Sequence, residues 1–134
     1  MYEQIDNNMK HIMPKKILIV EDNPLMLEVM TYILISNGYE VFALSNGNEV
    51  FNNIKRNHPD LVIIESVLPG IGGLEMCQLI KLNYTTRDLP VIMCTGDDEQ
   101  TDSLLKQTGA PDDVLEKPFD IKSLIQKVEY QLAA

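Results

Sequence analysis

The sequence predicts an α/β domain built on a parallel sheet with helices packed on both faces. Short continuous apolar runs at Ile17 to Val20, Leu61 to Ile64 and Val91 to Cys94 are the mark of strands buried on both sides, which parallel sheets require. Segments with helical spacing separate these runs, so strands and helices alternate along the chain. Acidic, hydroxyl and lysine residues close the runs, where ligands gather in such sheets.

In order, the first strand is Ile17 to Val20. A helix from about Pro24 to Asn37 follows, with Asn23 as its N-cap, Pro24 at its first position and Asn37-Gly38 as its stop. Tyr39 to Leu44 is a weaker strand, and Asn48 to Arg56 a second helix. The strand Leu61 to Ile64 leads to a helix over Leu74 to Leu82, and Val91 to Cys94 to a helix over Glu99 to Thr108 that Gly109 would end. Asp113 to Glu116 is a short fifth strand. Ile121, Leu124, Ile125, Val128 and Leu132 recur at three- and four-residue intervals, the apolar stripe of a final helix. Strict alternation implies right-handed crossovers, with helices on both faces of one sheet.

The 134 residues suit one domain of ordinary size. Residues 1–14 are polar, include Glu3 and Asp6 and lack an apolar centre, so they read as a loose leader rather than a signal peptide, with the domain over 15–134. A formal net charge of -9 argues against nucleic acid, whose phosphates need clustered Lys and Arg. It favours a divalent cation or a basic partner surface. No apolar run approaches the roughly 20 residues of a membrane span. Cys77 and Cys94 stand alone, in no metal-like or disulfide-dense pattern, and read as buried thiols of a protein in a reducing cytoplasm.

Four strand ends carry the chemistry. Ile17-Leu-Ile-Val-Glu21-Asp22-Asn-Pro24 ends in two acids, and Asp60-Leu-Val-Ile-Ile-Glu65-Ser-Val-Leu-Pro-Gly70 ends on a glutamate. Val91-Ile-Met-Cys-Thr95-Gly96 ends in a hydroxyl and a glycine, and Val114-Leu-Glu-Lys117-Pro118-Phe119 in a lysine. Glu21, Asp22 and Glu65 brought together would repel one another and call for a cation. Hard oxygen ligands with room for water suit magnesium. Taken alone, the acidic pair reads equally well as a solvated loop complementing a helix N-terminus. Lys117 alone reads as a surface lysine ending a strand, and a strand-ending threonine is common.

Together, these ordered motifs resemble the receiver domain of two-component response regulators over roughly residues 15 to 133. The resemblance implies a flavodoxin-like (βα)5 three-layer sandwich with strand order 2-1-3-4-5 and a cytoplasmic signalling role. It places the phosphoryl acceptor, an aspartate in the family, at Glu65. It implies magnesium held by Glu21, Asp22, Glu65 and the backbone carbonyl of Val67, and a cis peptide between Lys117 and Pro118. Lys117 and Thr95 would contact the phosphoryl group, and Gly96 would let the backbone approach it. The partners implied are a sensor histidine kinase or phosphotransfer protein, and a downstream protein on the face of the fourth helix, fifth strand and fifth helix. Weak homodimerisation is compatible with this, whereas nucleic acid and membrane are not partners. At most, the chain would accept a phosphoryl group and remove it again; it would not be an enzyme in the ordinary sense.

Glu65 departs from the family pattern by one carbon-carbon bond, about 1.5 Å. Phosphoryl transfer depends on in-line positioning, and a misplacement of about 1 Å costs on the order of 100-fold in rate, about 2.7 kcal/mol of barrier. Magnesium also resists a shifted ligand. Phosphoryl acceptance is therefore expected to be slow or absent. The longer side chain also carries its carboxylate toward the place of phosphoryl oxygens, where it would pair with Lys117 and Thr95 as an incomplete mimic, one charge against nearly two. Plain loss of function at a site kept for folding and partner binding is an equal reading. An alternative is a competent receiver that takes phosphate on Glu65 or Asp22, with Asp97 and Val67 in positions that tune its hydrolysis in the family. A flavodoxin-like ligand binder lacks the glycine-rich loop it needs after the first strand, where Asp22-Asn-Pro stands.

Further departures surround the site. Val114 holds the position of the family's switch aromatic, which works together with Thr95. Pro111 lengthens the segment before the fifth strand by one residue, and Gly72 replaces a frequent aspartate, which should loosen the turn there.

Overall fold

The structure, a computed structural model, describes residues 13–96 and 101–133. Five strands, β1 (Lys16–Val20), β2 (Glu40–Leu44), β3 (Leu61–Glu65), β4 (Val91–Thr95) and β5 (Asp113–Glu116), alternate with five helices. These are α1 (Pro24–Ser36), α2 (Val50–Asn57), α3 (Gly73–Leu82), α4 (Thr101–Leu105) and α5 (Ile121–Leu132). All strand pairs are parallel, in the order β2-β1-β3-β4-β5. The expected three-layer flavodoxin-like arrangement is therefore present.

Period-two alternation along each strand sends neighbouring side chains to opposite faces, and each face meets its own helices. Ile17, Ile19, Ile63, Ile92 and Leu115 pack with Met30 and Leu34 of α1 and Leu124 and Val128 of α5. Leu18, Val20, Val62, Ile64 and Met93 pack with Val50 of α2, Met76 and Ile80 of α3 and Leu104 of α4. Each fully buried aliphatic side chain contributes about 1.5–3 kcal/mol relative to an exposed one. The central strands β1, β3 and β4 carry most of this burial, which makes their carboxyl ends a rigid platform.

Helix ends follow local chemistry. Asn23 Oδ1 accepts from the Met26 N–H at 3.0 Å with Pro24 opening α1, and Asp120 Oδ1 accepts from the Ser123 N–H at 2.7 Å at the start of α5. The second helix starts at Val50, not at Asn48. Asn46 Oδ1 takes the Asn48 N–H at 2.9 Å, a local turn that competes with helix. The fourth helix ends at Leu105 instead of Thr108. Lys106 and Gln107 donate three residues back, to Ser103 and Leu104, and this tightened turn cannot propagate an α-helix. Glu99, where that helix was expected to start, lies outside the described residues. So do residues 1–12 of the expected leader; Met13 and Pro14 are exposed and in no regular element. Among the described residues no helix is long and apolar enough to cross a membrane.

Candidate functional site

Strand register assembles the site. Val20 pairs with Ile64, so the next residues, Glu21 and Glu65, emerge side by side at the carboxyl ends of β1 and β3. Thr95 pairs with Glu116, and the Lys117 N–H donates to the Thr95 carbonyl at 2.7 Å, which sets Lys117 at the same edge. Its peptide with Pro118 is cis. Gly73 brings α3 tightly against β3. Its N–H donates to the Ser66 carbonyl at 3.0 Å, and a Cβ there would overlap the Glu65 carbonyl oxygen.

The side chains converge on a single ammonium group. Lys117 Nζ donates to Glu21 Oε1 at 2.9 Å and forms an ion pair with Glu65 Oε2. Glu21 Oε2 accepts from the Asn23 N–H at 3.2 Å, so both Glu21 oxygens are engaged. Glu21 is 2% exposed and Glu65 8%. Burial pushes the Glu21 carboxyl up, but the Lys117 ammonium and the Asn23 amide outweigh it and hold the group below its ordinary value. For Glu65, burial together with the neighbouring Glu21 charge wins over Lys117, and its carboxyl lies above the ordinary range. Burial works against a charged Lys117, yet the two carboxylates raise its affinity for the proton.

The other predicted residues are less engaged. Thr95 is 2% exposed, and its hydroxyl has no hydrogen-bond partner among the described residues. The pairing of Glu65 with Thr95 expected of a mimic is therefore absent, while that with Lys117 is present. Asp22 is exposed, as is Val67, at 76%. Among the described residues a Cβ on Gly96 would meet nothing within 4 Å. Val114 is buried in β5 opposite Met93 and lines a groove of about 430 Å³ with Leu105, Phe119 and Asp120. Asp97 lies outside the described residues.

Sequence reasoning missed several supports. Gly73 was not singled out, although a Cβ there would overlap the backbone at the end of β3. Asp112 Oδ2 accepts from the Val91 N–H and from Lys81 Nζ, each at 2.8 Å, while Lys81 also donates to the Leu89 carbonyl at 3.1 Å. This tie joins α3, the start of β4 and the segment before β5, where Pro111 is buried. An acid directly following a proline turn was the available signal.

The chain matches the response regulator receiver domain family over residues 17–129. It belongs to that family. Among solved structures it is similar to a putative response regulator from Chloroflexus aurantiacus J-10-fl, with 32% identity, 90% of this chain and 99% of that chain covered, and a TM-score of 0.83. It is also similar to the response regulator TrrA of Thermotoga maritima, solved in complex with Mg(2+)-BeF, with 31% identity, coverage of 88% and 99%, and a TM-score of 0.78. A third is the receiver domain of a sensor histidine kinase from Pseudomonas aeruginosa PAO1, which has a magnesium ion in its active site cleft, with 26% identity, coverage of 90% and 99%, and a TM-score of 0.81.

The family implies magnesium, and the donor set here does not fit it as arranged. Among the described residues no three His, Cys, Asp or Glu side chains group as metal ligands. Of the expected ligands Glu21, Asp22, Glu65 and the Val67 carbonyl, Glu21 and Glu65 lie side by side, and N–H donors occupy both Glu21 oxygens while Lys117 pairs with Glu65 Oε2.

Proposed function

We propose that this chain is a receiver module that signals through protein contacts, with Glu65 in the acceptor's place and phosphoryl acceptance there impaired. The observation that carries this reading is the buried Glu65 carboxylate closed against Lys117, the lysine that the family resemblance assigns to the phosphoryl group. Part of the charge arrangement that phosphorylation would create then exists without phosphate. It is only a part, because Thr95 is not drawn in and one carboxylate charge replaces nearly two.

In this reading the upstream partner is a sensor histidine kinase or phosphotransfer protein. The downstream partner docks on the face formed by α4, β5 and α5, where the groove beside Val114 is lined by Leu105, Phe119, Asp113, Asp120 and Lys127. The chain acts by binding, not by turnover. Its two free, buried cysteines fit a reducing cytoplasm.

The test is incubation with acetyl phosphate and magnesium, followed by mass spectrometry of the peptide containing Glu65. The expected result is labelling on the order of 100-fold slower than in Glu65→Asp. Rapid, stoichiometric labelling of the chain itself would overturn the proposal and favour the competent-receiver reading. The observation on the side of that alternative is the buried Thr95 hydroxyl, which has no partner among the described residues and costs about 1–3 kcal/mol unless something accepts from it or donates to it.

A further inference from the structure

We infer that the outer face of α1 is a pairing surface for a second copy of this chain, the two helices lying antiparallel about a two-fold axis. α1 has 13 residues and is apolar nearly all round. Met30 and Leu34 are buried in the core, with Met26, Leu27 and Ile33 partly buried beside them. Leu25, Val29, Tyr32 and Ile35 are 44% to 74% exposed. A surface helix ordinarily turns polar and charged residues outward. The other helix of this layer, α5, does so with Lys122, Gln126 and Glu129, whereas Glu28 is the one charged residue of α1. An apolar patch of this kind marks a surface that something covers.

Spacing identifies the cover as a helix. Leu25, Val29, Tyr32 and Ser36, all exposed, recur at intervals of four, three and four residues, the seam by which one helix packs along another. Charge identifies whose helix it is. A basic partner would find a single acid on this face and gain little from it. Two copies, each with a formal net charge of -9, repel one another over acidic surface, but not where uncharged faces meet. The antiparallel two-fold arrangement sets Val29 of one copy against Tyr32 of the other, and Leu25 against Ser36, so that one patch matches itself. It also offsets the two Glu28 carboxylates by about 8 Å along the axis, where parallel pairing would set them directly opposite. A single pair of helices about 20 Å long buries on the order of 1,000 Å² in total, the low end for a specific interface, so the dimer is weak. None of this depends on whether Glu65 takes a phosphoryl group.

The test is sedimentation equilibrium of the full chain, without phosphodonor, from about 10 μM to about 1 mM and at about 0.05 and 0.5 M sodium chloride. The expected result is a reversible monomer–dimer equilibrium with a dissociation constant on the order of 100 μM. It should tighten at the higher salt, because screening relieves the repulsion between two acidic copies. Val29→Asp should weaken it at least about tenfold, by burying an unpaired charge in the seam. Tyr84→Asp adds the same charge at an exposed residue after α3, on the other face of the sheet, and should change it less than about twofold. Circular dichroism checks that the variants fold; should Val29→Asp not fold, Tyr32→Ser takes its place with the same expectation. A chain that stays monomeric to about 1 mM overturns the inference, as does a dimer indifferent to the α1 variant or one that weakens as salt rises. Labelling of Glu65 plays no part in this readout, so the two experiments fail separately.

Discussion

Replacing Gly73 by alanine should break the joint that positions Glu65. In an ordinary helix the change would help by at most about 1 kcal/mol. Here the new methyl group would overlap the Glu65 carbonyl oxygen and lie against the Ser66 Cα, both backbone atoms that no rotamer change can move aside. Forced overpacking of this kind costs about 3 kcal/mol at the upper end of its usual range. Pushing α3 away also weakens the Gly73 N–H bond to the Ser66 carbonyl, about 1 kcal/mol more. The net loss is about 3 kcal/mol, and at about 4 °C per kcal/mol for a domain of this size the melting midpoint falls by about 12 °C. Gly96→Ala is the control, because its Cβ would meet no atom within 4 Å among the described residues, and it should stay within about 0.5 kcal/mol of the parent. Urea and thermal unfolding of both variants supply the numbers. A Gly73→Ala protein as stable as the parent would refute the claim that close approach of α3 holds the end of β3.

Asp112→Ala should cost about 1–3 kcal/mol in urea unfolding, because it strands the Val91 N–H at the start of β4 and removes a partner of Lys81; an unchanged midpoint would argue against the tie. Burial pushes the Cys77 and Cys94 thiols up to about 12, so a thiol reagent at pH 8 should label neither in the folded protein and both in urea; fast labelling of folded protein contradicts their burial. The two glutamates should bend the pH profile of stability in opposite directions. Glu21, held below its ordinary 4.5, contributes stability that is present above that value and lost as pH falls through its folded value. Glu65, raised above 4.5, binds its proton better when folded, so stability declines as pH rises from 4.5 through its folded value. Urea midpoints against pH should lose the acid-side decline in Glu21→Gln and the decline above 4.5 in Glu65→Gln; parallel profiles in all three proteins would exclude the coupling.

The strands were legible because unbroken apolar runs such as Leu61 to Ile64 have few other uses in a small domain. The last helix was legible because its apolar residues sit on one stripe. The first helix is different: it is apolar nearly all round, so nothing in its pattern separates the buried Met30 and Leu34 from Leu25 and Tyr32, which are 70% and 74% exposed. Short-range competition also escaped detection. The Asn46 turn delays α2, and three-residue hydrogen bonding cuts α4 short.

At the site, the strand ends announced Glu21, Glu65, Thr95 and Lys117, since parallel sheets gather their functional groups there. How those groups engage was not readable. The bond from Lys117 to Glu21 spans 96 residues of sequence and depends on the register that sets Glu21 beside Glu65. Among the described residues the Thr95 hydroxyl has no hydrogen-bond partner, which the strand pattern did not foretell. Gly73 escaped because its importance comes from a backbone in a neighbouring element, not from its own conformation.

The central claim is that the Glu65 carboxylate holds Lys117 in the absence of any phosphoryl group. The most direct measurement is NMR of the Lys117 side-chain ammonium at neutral pH, with its connectivity to the carboxylate carbons of Glu21 and Glu65. The account predicts slowly exchanging ammonium protons linked to both carboxylates, and loss of that protection in Glu65→Gln. A freely averaging ammonium, indifferent to substitution of Glu65, would contradict it.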